Sequence, residues 1–219
     1  MIELLQTLII NKDVDKIISL IQDKPKLLDL KDKNGSSGLM NIAYSGLDKA
    51  FEQAIQLKPS FSFYEAIVCA KIELVKDYLN KADVNLQNSY ASDGFTPLSL
   101  ASFFNQTEIA KLLIEQGADP NLSAQNPSKV NALHAAIAKE NYELCELFIK
   151  NGANVNAPQM QNVTALHSAV HKGNLNLVKL LVENGALIEL KMDNGDTALL
   201  MAQREGHHHI SEYLLQQQN

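Results

Sequence analysis

Histidine is the residue type in this sequence that could most readily support metal chemistry. Three histidines are adjacent at His207, His208 and His209, and three more stand alone at His134, His167 and His171. Adjacent side chains on a helix point in different directions, so the run of three cannot form a compact metal site. We therefore expect His207 to fill a structural position near the start of a helix, with two solvated imidazoles beside it.

Nucleophile chemistry is no better supported. His134 and His167 lie 33 residues apart in the sequence, and neither has a Ser or Cys with a fixed partner beside it. We interpret Cys145 as a small core residue. A reactive thiol at Cys69 is an open alternative, but it has no basic neighbour except Lys71 to lower its pKa. With no glycine-rich phosphate loop, zinc-ligand spacing or nucleophile elbow, we predict a protein without catalytic residues, metal or cofactor.

The elements that carry these residues repeat along the chain. Thr-Ala-Leu at 164–166 returns at 197–199, 33 residues later, and Asn-Ala-Leu at 131–133 and Thr-Pro-Leu at 96–98 occupy the same position in earlier copies. Gly117, Gly152 and Gly185 follow with the same spacings of 35 and 33. Two independent markers thus share one period, which indicates a stacked array of repeats.

One copy, residues 164–192, shows what each repeat forms. Thr164 can cap a first helix that runs to about Gly173, where a left-handed residue is least costly. A second helix follows, with Leu177 and Leu181 on one apolar face, and it ends at Asn184. The copy therefore reads as helix, short turn, helix and extended turn.

These motifs resemble the ankyrin repeat, a unit of about 33 residues with Thr-Pro-Leu-His-x-Ala near its start. The resemblance is carried by TPLSLA at 96–101, NALHAA at 131–136, TALHSA at 164–169 and TALLMA at 197–202. It implies an all-α ankyrin-repeat solenoid of about seven helix-turn-helix units, with short extended turns between units. It also implies that His134 and His167 tie neighbouring turns together.

We predict a single domain over 1–219, whose first and last units act as caps. Upstream of residue 91 the motif is weaker, but helical apolar patterns continue to the start of the chain. The approximate unit boundaries are 1–34, 35–60, 61–90, 91–126, 127–159, 160–192 and 193–219.

Composition narrows the function classes. Apolar residues make up 46% of the chain, which suits a folded core, and the net charge of −6 argues against a nucleic-acid or membrane-surface binder. No apolar run reaches the ~18 residues that span a bilayer, and the first residues lack the layout of a secretory signal. Two cysteines far apart suit a reducing compartment, so we expect a cytoplasmic protein.

The resemblance places a binding surface on the first helices and the turn tips. The two positions that follow the small residues of each first helix change from unit to unit and form a stripe, apolar early and mainly basic late. We expect a partner protein, with apolar and acidic segments, to contact Tyr44, Val68, Phe103, Phe104, Lys139, His171, Lys172 and Arg204, extended by Tyr90 and Phe95 beside the longest turn.

Three alternatives remain open at this point. One phenylalanine of the Phe103–Phe104 pair could pack against an adjacent helix or a long turn. The three basic residues Lys139, Lys172 and Arg204 could be ordinary helix surface. The longer turns, Asn88–Gly94 and Ser123–Lys129, suit either a binding face or simple tolerance of insertion. We predict a non-catalytic, monomeric protein-binding module; the rival functions are a self-assembling scaffold and a regulatory subunit of an enzyme.

Overall fold

Helices dominate the structure, a computed structural model that describes residues 1–82 and 84–217. The described residues hold fourteen α-helices in seven consecutive pairs and no strand longer than an isolated bridge. This confirms the predicted all-α repeat fold. Contacts divide the chain into two compact units: unit 1 comprises 1–81 and 91–93, and unit 2 comprises the described residues of 82–90 and 94–219. The single-domain boundaries stay a prediction.

The helices alternate between the first and second member of each pair. In unit 1 they are α1 (Ile2–Ile10), α2 (Val14–Asp23), α3 (Gly38–Tyr44), α4 (Asp48–Leu57), α5 (Phe63–Val68) and α6 (Ile72–Lys81). In unit 2 they are α7 (Pro97–Phe103), α8 (Thr107–Glu115), α9 (Ala132–Ala138), α10 (Tyr142–Lys150), α11 (Ala165–His171), α12 (Leu175–Glu183), α13 (Ala198–Arg204) and α14 (His208–Gln216). None of these helices is long and apolar enough to cross a membrane.

Short polar side chains set where the first helices begin. The Ser37, Thr96 and Asn131 side chains each accept a hydrogen bond from the backbone N–H three residues later, which satisfies an otherwise unpaired group of the first turn. Apart from α1, which has nine residues, each first helix ends after six or seven residues. The turn beyond it contains a left-handed residue, such as Asn105 at φ 58° or Gly173 at φ 66°.

Unit 1 has its own apolar core. Packing runs from α1 to α2 and α3, from α2 to α4, and from α3 to α4 and α5. Residues such as Leu5, Ile17 and Ile42 are fully buried there. The weak repeat pattern of this part of the sequence therefore still forms regular helix pairs, because the apolar face of each helix is kept.

Unit 2 stacks its four helix pairs in order. Each first helix packs against its own second helix and the next first helix, so α9 contacts α7, α10 and α11. Small residues on the first helices allow this close approach: Ala101, Ala136 and Ala169 are fully buried. Phe148 of α10 is among the largest fully buried side chains.

Asparagine side chains connect successive repeats of unit 2 at the extended turns. The Asn121 side chain donates to the Gly152 carbonyl at 2.9 Å and accepts from the Asn154 N–H at 2.7 Å. Asn88 and Asn156 make the same paired bonds to the turn that follows each of them. These bonds satisfy backbone groups of a segment that has no helix or strand partner, and so fix the spacing of the repeats.

Candidate partner-binding surface

The predicted stripe falls at one position in the repeat architecture. Each pair of stripe residues is the last residue of a first helix and the residue that caps it, as with Phe103 and Phe104 at the end of α7. The chain then turns sharply into the second helix, and the Gln106 N–H donates to the Ala101 carbonyl at 2.7 Å. The turn after α5 has the equivalent bond, from the Lys71 N–H to the Ala66 carbonyl at 2.8 Å, so this turn by itself does not decide whether the last side chain of a first helix is exposed.

Phe103, Phe104 and Lys139 form the most distinctive group on this surface, which we call the Phe103 patch. The Phe103 side chain is 40% exposed, whereas Phe104 is half-buried. Their rings meet edge to face, with centroids 5.2 Å apart and planes at 74°. The Lys139 ammonium lies 4.4 Å from the Phe103 ring centroid, within the range of a cation–π contact.

Carboxylates of this chain lie beside two residues in the basic half of the stripe, Arg204 and His171, and offset their positive charge. Arg204 pairs with Asp196, and the His171 Nδ1 lies 3.2 Å from a carboxylate oxygen of Glu205. Asp196 lies in the turn before α13 and Glu205 in the turn after it. Folding is what brings these carboxylates next to Arg204 and His171. Lys172 is exposed.

Tyr44 and Val68, both of unit 1, are less accessible than predicted. Tyr44 is half-buried, and its hydroxyl donates to the Asp93 carboxylate at 2.6 Å. Burial raises the pKa of this phenol, so it stays a neutral donor. The expectation that Val68 is exposed is wrong: it is 1% exposed, because the end of α5 packs inward and Cys69 joins the unit 1 core.

Tyr90 and Phe95 lie in unit 2 and are both half-buried. The turn near Phe95 is held by a hydrogen bond from the Gln125 N–H to the Gly94 carbonyl at 2.9 Å. A Cβ on Gly94, at φ 84°, would approach the Asn126 backbone nitrogen to 3.0 Å. Gly94 therefore packs closely against the Ser123–Lys129 turn within unit 2, and this close approach at a positive φ requires glycine.

The cysteines occupy inert positions. Cys69 and Cys145 are free and buried, and burial raises the pKa of each thiol to about 12. Across residues 1–82 and 84–217, no group of three His, Cys, Asp or Glu side chains is arranged to hold a metal ion.

His134 and His167 make equivalent contacts in successive repeats. The His134 Nδ1 accepts from the Asn131 N–H at 3.4 Å, and its Nε2 lies 3.1 Å from the Ala157 carbonyl. The His167 ring bridges its own N-cap residue and the Leu190 carbonyl in the same way. These histidines therefore couple each first helix to the following turn, as the resemblance implies.

Stability should depend on pH through His134. Burial lowers the pKa of His134 to about 4, against about 6.5 in an unfolded chain. The unfolded state binds the proton more tightly, so protonation favours unfolding as the pH falls from about 6.5 to about 4. We expect a loss of about 2–3 kcal/mol over that window, measured by urea unfolding at a series of pH values.

A His134→Gln variant provides the control for this pH effect. Glutamine three residues after an N-cap can still reach back to the N-cap N–H, but it does not titrate. Its stability should start lower and change less between pH 6.5 and 4. An equally steep loss in the variant would show that other groups cause the slope.

Sequence reasoning missed a polar group in unit 1. Lys58 and Glu65 are 6% and 5% exposed, with the ammonium 3.5 Å from a Glu65 carboxylate oxygen. Lys58 also pairs with Asp29, and the Ser37 hydroxyl donates to Glu65 at 2.6 Å. The signal that could have found Glu65 is the Ser-x-x-Glu spacing from Ser62, which forms a capping box.

Comparisons with known proteins agree with the repeat architecture. A family model described as "Ankyrin repeats (3 copies)" matches residues 63–159 and 158–219. The chain is 28% identical over 141 residues, 64% of its length, to the "Probable 26S proteasome regulatory subunit p28" of Saccharomyces cerevisiae, and covers 51% of that protein.

Two other relatives match shorter stretches. The human "DNA-binding protein RFXANK" is 38% identical over 66 residues, which are 30% of this chain and 25% of that protein. The "Putative ankyrin repeat protein FPV024" of fowlpox virus is 33% identical over 97 residues, 43% of this chain and 15% of that protein. The chain thus spans about half or less of the length of these relatives.

Proposed function

This chain belongs to the ankyrin repeat family, and from that premise we propose that unit 2 binds a partner protein through the Phe103 patch. Ankyrin repeats are generally protein–protein interaction modules and are typically non-catalytic. We propose accordingly that the chain is not an enzyme and acts as a monomeric, cytoplasmic binding module. The finer assignment of the binding residues rests on the geometry of the patch.

The single observation that carries the proposal is the exposure of Phe103 beside a cation. The Phe103 residue is 40% exposed in the free protein, and burial against a partner would remove this remaining apolar surface from water. Its edge-to-face contact with Phe104 holds the ring in place, so little side-chain freedom is lost on binding.

The patch also indicates the chemistry of the partner. The Lys139 ammonium above the ring would attract a carboxylate next to an apolar side chain. Lys172 could extend this preference, whereas Arg204 and His171 already face carboxylates of this chain. The proposed partner segment therefore carries an apolar anchor and an acidic residue. Its binding should depend less on the later repeats than the sequence alone indicates, because Arg204 and His171 are already paired.

A regulatory role is the second candidate, favoured by one comparison. The yeast relative bears the name "Probable 26S proteasome regulatory subunit p28". A binding module of this kind can act on an enzyme by recruiting or covering a subunit, without catalytic residues of its own. The same surface would serve either role.

We expect Phe103→Ala together with Phe104→Ala to weaken partner binding by about 1–3 kcal/mol, because aromatic anchors dominate protein interfaces. The partner is first identified by cross-linking in native lysate, and its Kd is then measured with purified proteins. Phe103→Ala alone should leave the melting temperature nearly unchanged, since the ring is exposed.

Tyr142→Ala is the matched control for this experiment. Tyr142 is also aromatic and 45% exposed, but it stands at the start of α10, outside the Phe103 patch. It should leave the Kd unchanged. The proposal would be contradicted if the variant with both Phe103→Ala and Phe104→Ala bound the partner like the wild type, or melted at a far lower temperature than the wild type.

A further inference from the structure

We propose that a cleft in unit 1 binds a basic side chain, Lys or Arg, presented by a peptide segment of a partner protein. The cleft has a volume of about 430 Å³ and lies between the turn before α3, the segment that joins α4 to α5, and residues 91–93. This volume is within the range of ligand sites, about 300–1,000 Å³, and suits one side chain with its adjoining backbone.

The cleft contains charges that are already fixed in place. Lys58 and Glu65 line it and are more than nine-tenths buried, as their exposures of 6% and 5% show. The Glu65 carboxylate is held by the Ser37 hydroxyl at 2.6 Å and the Ser62 N–H at 2.9 Å. A site whose charged groups are held by such bonds needs little rearrangement when a ligand arrives.

Charge decides which ligand the cleft suits. Asp29, Glu65 and Asp93 supply three carboxylates, whereas Lys31 and Lys58 supply two ammonium groups, which leaves one net negative charge. The Lys58 ammonium already faces Asp29 and Glu65. A cation is therefore the complementary guest, and it would form charge-assisted hydrogen bonds with the carboxylates.

Apolar groups complete the walls. Met40, Tyr64 and Ala91 also line the cleft. Lys and Arg carry an aliphatic stem that packs on apolar surface while the charged head meets polar groups. The combination of these walls with carboxylates matches such a side chain better than a bare metal ion or a purely apolar group.

The buried charges are not a general requirement of the repeat. Glu65 bonds the N–H of its N-cap, as His134 and His167 do, but the second nitrogen of each histidine meets a backbone carbonyl, whereas Glu65 meets a buried ammonium. A buried ion pair loses hydration that its own attraction only partly restores, so it is a weak source of stability. Its presence here supports a role in recognition.

This inference goes beyond the proposed function, because it concerns unit 1, whereas the Phe103 patch lies in unit 2. A protein is the expected source of the cation, since ankyrin repeats are generally protein–protein interaction modules. The two sites can be tested separately: Phe103→Ala should leave binding at the cleft unchanged.

The test is an NMR titration of the isotope-labelled full chain with acetyl-Ala-Arg-Ala-amide. The backbone amides of Ser36, Ser62 and Ser92, which line the cleft, should shift in a saturable way. Acetyl-Ala-Glu-Ala-amide should leave them in place. Asp29→Asn and Asp93→Asn should each raise the Kd about tenfold, because each removes one charged acceptor.

Glu52→Gln is the matched control, since it removes one carboxylate from an exposed site on α4. It should bind like the wild type, and circular dichroism checks that every variant is folded. Absence of saturable shifts, equal shifts with the Glu peptide, or aspartate variants that bind like Glu52→Gln would each overturn the cleft as a cation site. Equal affinity for free argininamide would overturn the peptide as its occupant.

Discussion

Lys58→Met is expected to destabilise the protein by about 3–5 kcal/mol, because it leaves a buried carboxylate without its ammonium partner. Glu65 is 5% exposed and would keep only neutral donors, among them the Ser37 hydroxyl and the Ser62 N–H. Methionine fills a similar volume, so the change isolates the charge from the packing. Urea unfolding followed by circular dichroism gives the free energy of unfolding.

A double variant separates loss of the pair from loss of one partner. Lys58→Met with Glu65→Gln removes both charges, and glutamine keeps the capping bond to the Ser62 N–H. We expect the double variant to be more stable than Lys58→Met alone. The exposed Lys16, paired with Asp13 at 2.6 Å, serves as control, and Lys16→Met should hardly change stability. If Lys58→Met lowered the free energy of unfolding as little as Lys16→Met, the buried pair would contribute nothing to stability.

Phe148→Ala should cost about 3–5 kcal/mol, the range for removing a buried phenyl ring and leaving a cavity. Phe148 is 0% exposed on α10, which packs against α8 and α9. Each repeat contacts only its neighbours, so the cavity weakens the two interfaces on either side. The free energy of unfolding in urea measures the loss.

Two further variants on α10 make the Phe148 result specific. Phe148→Leu keeps most of the volume and should cost less than about 1.5 kcal/mol. Tyr142→Ala removes an aromatic ring of similar size that is 45% exposed, so it should cost much less than Phe148→Ala. Similar losses for Tyr142→Ala and Phe148→Ala would show that burial is not the cause.

Much of the architecture was predictable from the sequence, because its markers are local. Capping residues such as Thr96 and Asn131 and left-handed turn residues such as Gly173 act within a few residues of themselves. Their spacing of 33 to 35 residues repeats the same helix pair. Even the weakly patterned stretch before residue 91 forms helix pairs, because apolar periodicity alone determines which face of a helix is buried.

The candidate surface was only partly predictable, because exposure depends on what packs against a helix end. Phe103 and Val68 both end first helices, yet one is 40% exposed and the other 1%. Nothing local distinguishes them, since both are apolar residues at the same position. The pairing of Arg204 with Asp196 likewise depends on the path of an intervening turn and helix.

The array of helix pairs resembling ankyrin repeats follows from the period, the caps and the apolar faces, which are short-range properties of the sequence. Which side chains are accessible, and which charged groups lie in contact, depends on how the helices pack. Asp29, Lys58, Glu65 and Asp93 are separated by up to 64 positions in the chain and share one cleft only after unit 1 has folded. Contacts between distant residues depend on the packing of whole helices, which no local pattern encodes.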